Sequence, residues 1–250
     1  MSYQEKPKPQ WQPFSPVKID WKDLVLRPLE QADVVDFCDA VKRSFPHLGE
    51  GRATYMLTES YYEKAARPLE DRDGTAILCA YSEGKLVYGI IHELDAQTRS
   101  IFLSVAFITP EFRKNPSVVA ASFDVFPKIK DWWNRSNAEY AFSYCTTGHA
   151  VSQMVTEQAG FRVGGIMPGF ALSKRSYGVE IPVESSYYRE NVVYYYQYLN
   201  DGELLANKRV RLTAEAQRFW DLHQGIKRRN NWLLQSWLAY GRLKAKLLGR

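Results

Sequence analysis

The chain has 250 residues, of which 45% are hydrophobic and 14% aromatic, and its formal net charge at pH 7 is +5. This apolar content excludes a disordered chain, and no apolar run approaches the roughly 18 residues that a membrane-spanning helix needs. The three cysteines and four histidines show neither a disulfide framework nor metal-ligand spacing, so we expect a cytoplasmic protein with reduced thiols and no structural metal.

The positive charge is concentrated at the C-terminal end. Residues 208–250 hold 11 of the 33 Lys and Arg but only two of the 28 Asp and Glu, a net charge of +9, which leaves −4 for the rest of the chain. A mildly acidic body therefore carries a strongly basic tail, and this division is more informative than the total.

The predicted elements follow in chain order. Residues 1–22 are polar and proline-rich, which is typical of an extended arm, either loose or laid along another surface. Alternating and helical apolar spacing then predicts a strand at 23–29, helices at 30–45 and 57–69, a hairpin at 75–94, a strand at 99–108, a helix at 118–136, a strand at 138–145, a helix at 148–160 and strands at 161–172 and 190–199. Pro127 should kink or divide the 118–136 helix.

This order predicts an α/β domain, 23–199, with a mostly antiparallel sheet flanked by helices. The polar connection from Ser173 to Glu190 is long enough to indicate a functional or mobile loop. A third unit, 200–250, is predicted to be a helical tail because apolar residues recur there at helical spacing. These residues are Phe219, Leu222, Ile226, Leu233, Trp237, Tyr240, Leu243 and Leu247.

Two short segments resemble the GNAT family of acetyl-CoA-dependent N-acyltransferases. The first, "FITPEFRKN" at 107–115, is similar to the family's V-x-P-x-x-R segment, which runs from its fourth strand into the pyrophosphate loop. The second, "VTEQAGF" at 155–161, is similar to the family's L-Y-E-K-x-G-F. The resemblance covers roughly 23–199 and implies the GNAT fold, with a cleft for acetyl-CoA between the fourth and fifth strands.

The resemblance also implies a set of cofactor-binding residues. In the family the arginine begins R-x-x-G-x-G/A, whose backbone N–H groups and helix dipole hold the CoA pyrophosphate. The corresponding residues here are Ile108, Arg113, Lys114, Asn115 and Ser117. Pro116 and Val118 occupy the two glycine positions, and Pro116 has no N–H to donate, so the expected anion site lacks one donor.

The catalytic positions of the family are also altered. Acyl transfer needs a base for the amine proton, a donor for the carbonyl oxygen and an acid for the leaving thiolate. Ser104 stands at the position of the family's strand glutamate and is a candidate catalytic residue, and Thr156 replaces the tyrosine that usually serves as the acid. His149 at a helix start is a candidate base or proton shuttle, and Tyr144 beside it a candidate donor. Two further candidate bases are Glu93 and Asp95.

The main interpretation is an N-acyltransferase that moves an acetyl group from acetyl-CoA to an amine acceptor. The main alternative is a GNAT-like module without catalysis, which serves a larger assembly such as a phage virion or another nucleoprotein particle. A third interpretation is a family member that modifies nucleic acid. The basic tail at 208–250 fits a docked or assembling helix, a nucleic-acid partner or an anionic membrane surface.

Overall fold

The computed structural model describes residues 6–19, 21–45, 53–72, 74–148, 150–173 and 188–205. The strands are β1 (Val17–Lys18), β2 (Val25–Pro28), β3 (Thr75–Ser82), β4 (Lys85–Asp95), β5 (Ser100–Ile108), β6 (Tyr140–Thr146), β7 (Arg162–Ser173) and β8 (Tyr188–Tyr198). The helices are α1 (Val34–Ser44), α2 (Glu59–Ala65), α3 (Pro116–Arg135), α4 (Ala150–Gln158) and α5 (Gly202–Leu205). Among these residues, none of the helices has the length and apolar character needed to cross a bilayer.

The strands form one eight-stranded sheet in the order β1-β2-β3-β4-β5-β6-β8-β7. Neighbouring strands are antiparallel except β5 and β6, which pair in parallel. A parallel neighbour requires a crossover, and α3 supplies it. The predicted fold class, an α/β protein with a mostly antiparallel sheet flanked by helices, is confirmed.

One side of the sheet, which we call the closed face, carries the larger part of the core. On β6, Ala141, Ser143 and Cys145 are buried on this side, as strict alternation along a strand requires. Helices α3 and α4 lie over it, and the largest fully buried side chains of the domain, Trp132 and Trp133, come from α3.

The opposite side is covered unevenly. Over β3, β4 and β5, α1 and α2 form a second core in which Phe37 and Tyr62 pack on Ile77, Ile91 and Phe107. Farther along the sheet, six half-buried rings alternate with the buried residues of β6 and β8. We call this row the aromatic face; its members are Tyr140, Phe142, Tyr144, Tyr194, Tyr196 and Tyr198.

Helix α3 differs from its prediction in two ways. It begins at Pro116, where proline fills the first helical position and Asn115 supplies the N-cap, an arrangement that proline favours. It also runs without division through Pro127 to Arg135, so of the two predicted outcomes, a kink or a division, the division is wrong. Burial of residues on both sides of Pro127, including Phe126 and Ile129, outweighs the penalty of about 3 kcal/mol for an internal proline.

The described part of the N-terminal arm lies on the closed face of its own domain. The ring of Trp11 stacks on that of Trp132 at 4.4 Å, and the Trp11 indole N–H donates to the Gly74 carbonyl at 2.6 Å. Lys6 forms ion pairs with Glu139 at 3.1 Å and Asp201 at 2.7 Å. The arm is therefore part of the core on this side.

Candidate functional site

The sheet opens between β5 and β6. The two strands pair only from Ser100 with Tyr140 to Leu103 with Ser143, where the Ser143 hydroxyl donates to the Leu103 carbonyl at 2.9 Å. Both strands continue beyond this pair, β5 to Ile108 and β6 to Thr146. Among the described residues, one edge of β5 beyond Leu103 therefore has no strand partner, which leaves its backbone polar groups available to a ligand.

The loop that leads from β5 into α3 stands at the open end of this gap. Asn115 caps the helix, and its side-chain oxygen accepts from the Ser117 N–H at 3.0 Å. Of the first two residues of α3, Pro116 has no N–H and Ser117 already donates its N–H to Asn115. A phosphate at this helix start would have to displace the Asn115 side chain, whose cap is worth about 1 kcal/mol.

Arg113 is held inside the loop by backbone carbonyls. Its guanidinium donates to the Ile108 carbonyl at 2.8 Å and to the Ser44 carbonyl at 3.2 Å, which ties the end of β5 to the end of α1. Lys114, the next residue, is exposed. The predicted cofactor-binding residues thus lie together at one loop, to which Arg113 and Lys114 bring positive charge. Their binding to a cofactor stays a prediction.

A partly buried carboxylate lies on the neighbouring strand, within hydrogen-bond reach of Ser104. Glu93 of β4 lies on the α1 and α2 side of the sheet, with its Oε1 3.5 Å from the Tyr61 hydroxyl of α2. Partial burial raises the pKa of Glu93 above its usual value, and side-chain hydrogen bonds from Ser104 and Tyr61 offset part of that effect. The carboxylate is therefore a stronger base than an exposed glutamate.

Ser104 marks the point where β5 leaves β6. It is the extra residue of a β-bulge, because Ile91 pairs with Val105 while His92 pairs with Leu103. Its hydroxyl donates to the Ile91 carbonyl at 3.3 Å. The bulge turns the Ser104 side chain toward Glu93, so a small polar residue and a carboxylate meet where the strands separate.

Tyr144 belongs to the aromatic face at the matching position of β6. Its ring lies 5.5 Å from Phe102 and 5.4 Å from Phe170. Since Leu103 and Ser143 form the last pair, Tyr144 follows the divergence point on one strand as Ser104 does on the other. The structure therefore brings these two predicted residues to the same gap.

The other predicted catalytic positions do not join this group. Thr156 is buried and bonds the Ser152 carbonyl at 2.8 Å and the Cys145 sulfur at 3.3 Å, so it packs α4 against the closed face. Asp95 is exposed and accepts the N–H groups of its own turn. His149, most of the 173–190 connection and the whole basic tail at 208–250 lie outside the described residues.

Sequence reasoning missed the contact between Glu93 and Tyr61. These residues are 32 positions apart, and nothing in the spacing of either segment connects them. A weaker signal was present, since Glu93 follows a buried run in a predicted strand. Within the described residues there is no cluster of three or more His, Cys, Asp or Glu side chains that would hold a metal ion.

The residues present are compatible with acetyl-CoA. The unpaired edge of β5 can pair with the amide groups of an extended ligand, and Arg113, Lys114 and the start of α3 supply positive potential for phosphates. The anion cradle is weaker than a glycine-rich loop because it lacks the Pro116 N–H and because Asn115 already holds the Ser117 N–H.

Comparison with solved structures identifies the fold. A GNAT-family acetyltransferase from Streptococcus pneumoniae is 17% identical and covers 71% of this chain and 99% of its own, with a TM-score of 0.52. RimL, a ribosomal L7/L12 alpha-N-protein acetyltransferase in complex with coenzyme A, and the ribosomal-protein-S5-alanine acetyltransferase from Vibrio fischeri are each 11% identical. Each covers 74% of this chain and 98% of its own, with a TM-score of 0.52. No protein-family model and no curated protein sequence matches the chain.

Proposed function

We propose that this chain, which has the fold of the GNAT acetyltransferases, is an N-acyltransferase that moves an acetyl group from acetyl-CoA to an amine. The observation that carries the proposal is the partly buried Glu93 beside the point where β5 and β6 separate. A carboxylate with a raised pKa next to an open strand edge is suited to accept a proton from an amine bound in the gap.

The proposed mechanism gives each residue of the gap one task. Acetyl-CoA, when bound, supplies a thioester whose carbonyl carbon an amine can attack. Glu93 accepts the proton of the attacking amine, and the hydrogen bonds from Ser104 and Tyr61 orient its carboxylate. Tyr144 donates a proton to the departing thiolate, and Arg113 and Lys114 supply positive charge at the loop before α3.

Two further assignments complete the proposal. The 173–190 connection is assigned to the acceptor side, and His149 is kept as a second proton carrier because it follows the β6 strand that bears Tyr144. The acceptor is an amine whose identity the chain does not specify. The attacking amine must give a proton to Glu93, which can accept it only when its carboxylate is ionised. The rate of transfer should therefore rise as the pH passes the raised pKa of Glu93.

The first experiment measures binding and chemistry separately. Calorimetry should detect acetyl-CoA binding, and a thiol reagent should detect free CoA released in the presence of a panel of primary amines. Glu93→Gln should lower kcat by about 10²- to 10⁴-fold while leaving the Kd for acetyl-CoA unchanged. Glu63→Gln is the matched control, because Glu63 is an exposed carboxylate on the same helix as Tyr61.

Two results would contradict the proposal. Absence of binding at millimolar acetyl-CoA would favour a module without catalysis, the alternative considered above. Full activity in Glu93→Gln would show that Glu93 is not the base and would favour His149 as the base.

A further inference from the structure

None of the six residues of the aromatic face belongs to a buried core of the described part of the chain. In the described part of the chain, the ring contacts of its six residues are with one another and with Phe102 and Phe170, all of them on strands. Phe170 of β7, at the margin of this face, is 56% exposed. A contiguous apolar patch that is open to solvent usually marks an interaction site.

The orientation of the rings indicates what kind of partner fits. Phe102 is nearly parallel to Phe142 at 13°, Tyr140 to Tyr196 at 16° and Tyr194 to Tyr196 at 20°, with centroids 4.9 to 6.4 Å apart. Other pairs of the row are steep, Phe142 with Tyr144 at 73° and Tyr196 with Tyr198 at 75°. A row that mixes the two arrangements suits apolar and aromatic side chains, which pack favourably on both ring faces and ring edges.

The course of the chain after β8 leads toward this surface. Glu203 of α5 forms an ion pair with Arg162 at 3.3 Å. Arg162 is the register partner of Tyr196, so its side chain lies on the same side of the sheet as the aromatic face. The last described residues, 202–205, therefore lie beside the Tyr198 end of the row.

The segment has the length and pattern to cover the row. Residues 206–250 contain apolar side chains at helical spacing, among them Leu233, Trp237, Tyr240 and Leu247. The rings of β6 and β8 extend over about 13 Å along each strand. A helix from Leu233 to Leu247 would measure about 21 Å, which is sufficient.

We propose that the C-terminal segment of this chain, residues 206–250, packs the apolar side of its helical pattern on the aromatic face of its own domain. Its Lys and Arg then lie on the outer side, and the mildly acidic body carries an outer layer of positive charge. This inference does not depend on the proposed catalytic function; the residue common to both is Tyr144, which lies at the end of the row opposite to Tyr198.

Two exposed residues of β7 provide a matched test. Phe170 is 56% exposed and lies on the aromatic face, 5.4 Å from Tyr144. Ile166 is 54% exposed, but its register partner Val193 is buried in the core of the closed face, so it lies on the opposite side. Phe170→Asp and Ile166→Asp therefore place the same charge on the two sides of one strand.

Limited trypsin digestion of the full-length protein is the measurement, because residues 208–250 contain 11 Lys and Arg. Cleavage in this segment should be slow in the wild type, roughly tenfold or more faster in Phe170→Asp, and unchanged in Ile166→Asp. Trp237→Asp, a change within the segment that leaves the domain intact, should reproduce the fast cleavage. Circular dichroism checks that all the variants are folded.

Two outcomes would overturn the proposal. Equal cleavage rates in the wild type, Phe170→Asp and Trp237→Asp would show that the segment does not lie on the aromatic face. A concentration-dependent dimer in light scattering that Phe170→Asp dissociates, with tail cleavage unaltered, would show that a second copy of the chain covers this surface instead.

Discussion

The two faces of the sheet can be compared through consecutive residues of β4, because alternation sends His92 and Glu93 to opposite sides. His92 lies fully buried among Trp11, Trp132 and Trp133, and burial lowers its pKa to about 3. Glu93, on the other side, is only partly buried, and burial raises its pKa. The closed face thus keeps its ionisable group neutral, whereas the other face keeps a group that can exchange a proton with a ligand.

The two groups also change stability with pH in opposite directions. Because burial lowers the pKa of His92 in the folded state, the unfolded chain binds a proton that the folded chain does not bind. Stability therefore falls as pH falls below about 6.5. The raised pKa of Glu93 means that the folded chain binds its proton more readily, so this group adds stability as pH falls. A completely covered ionisable group is held neutral, whereas a partly covered one remains available for proton transfer.

The largest expected effect is a cavity in the closed face. Trp132 is 1% exposed, and its indole N–H donates to the Gln12 carbonyl at 2.6 Å. Trp132→Ala should lower the free energy of unfolding by about 3 to 5 kcal/mol. Tyr196→Ala removes a smaller ring from the half-buried aromatic face and should cost about 1 to 2 kcal/mol. Urea denaturation at neutral pH measures both, and equal losses would contradict the distinction between the faces.

The next effect tests His92 through the pH dependence of stability. Between pH 6.5 and 4.5, the wild type should lose about 2.5 kcal/mol through this group alone, since one proton corresponds to about 1.4 kcal/mol per pH unit. His92→Phe should lack that part of the slope. The comparison uses the slopes and not the absolute stabilities, because the larger ring alters packing at every pH. Parallel curves for the two proteins would show that His92 is protonated in the folded state.

The smallest effect concerns the start of α3, where the closed face meets the gap. Asn115→Ala removes the cap on the Ser117 N–H and should lower stability by about 1 kcal/mol. The freed amide should tighten acetyl-CoA binding by up to about fivefold, as the same free energy implies. Asn115→Ser, which keeps a capping oxygen, is the control. Weaker binding in Asn115→Ala would instead indicate that the Asn115 side chain contacts the cofactor.

Local pattern was sufficient to predict most of the fold. Alternation identified the long strands, and the two family-like segments placed the β5–α3 loop and the end of α4. The division of α3 at Pro127 was wrong because packing around Phe126 and Ile129 outweighs the local penalty. The coverage of the closed face by residues 6–19 was left open, since a proline-rich segment has no periodicity from which its binding surface can be inferred.

The candidate site was predictable only where a motif fixes a position. Arg113 and Asn115 were located by the motif, but the hydrogen bonds that hold them depend on Ser44 and Ser117, and Ser44 lies far away in sequence. The approach of Tyr61 to Glu93 depends on how α2 packs on β4. Such contacts follow from tertiary structure and are not encoded in short-range spacing.

The N-terminal arm also has a consequence for biosynthesis. Lys6 pairs with Asp201, 195 positions later in the chain, so the arm cannot complete its attachment until nearly the whole domain has been made. At about 5 to 20 residues per second, synthesis of that length takes roughly 10 to 40 s. During the earlier part of this interval, before Trp132 has been synthesised, Trp11 and Phe14 have none of its ring to pack against. A segment that leaves the ribosome before the rest of its domain is therefore among the last to reach its place.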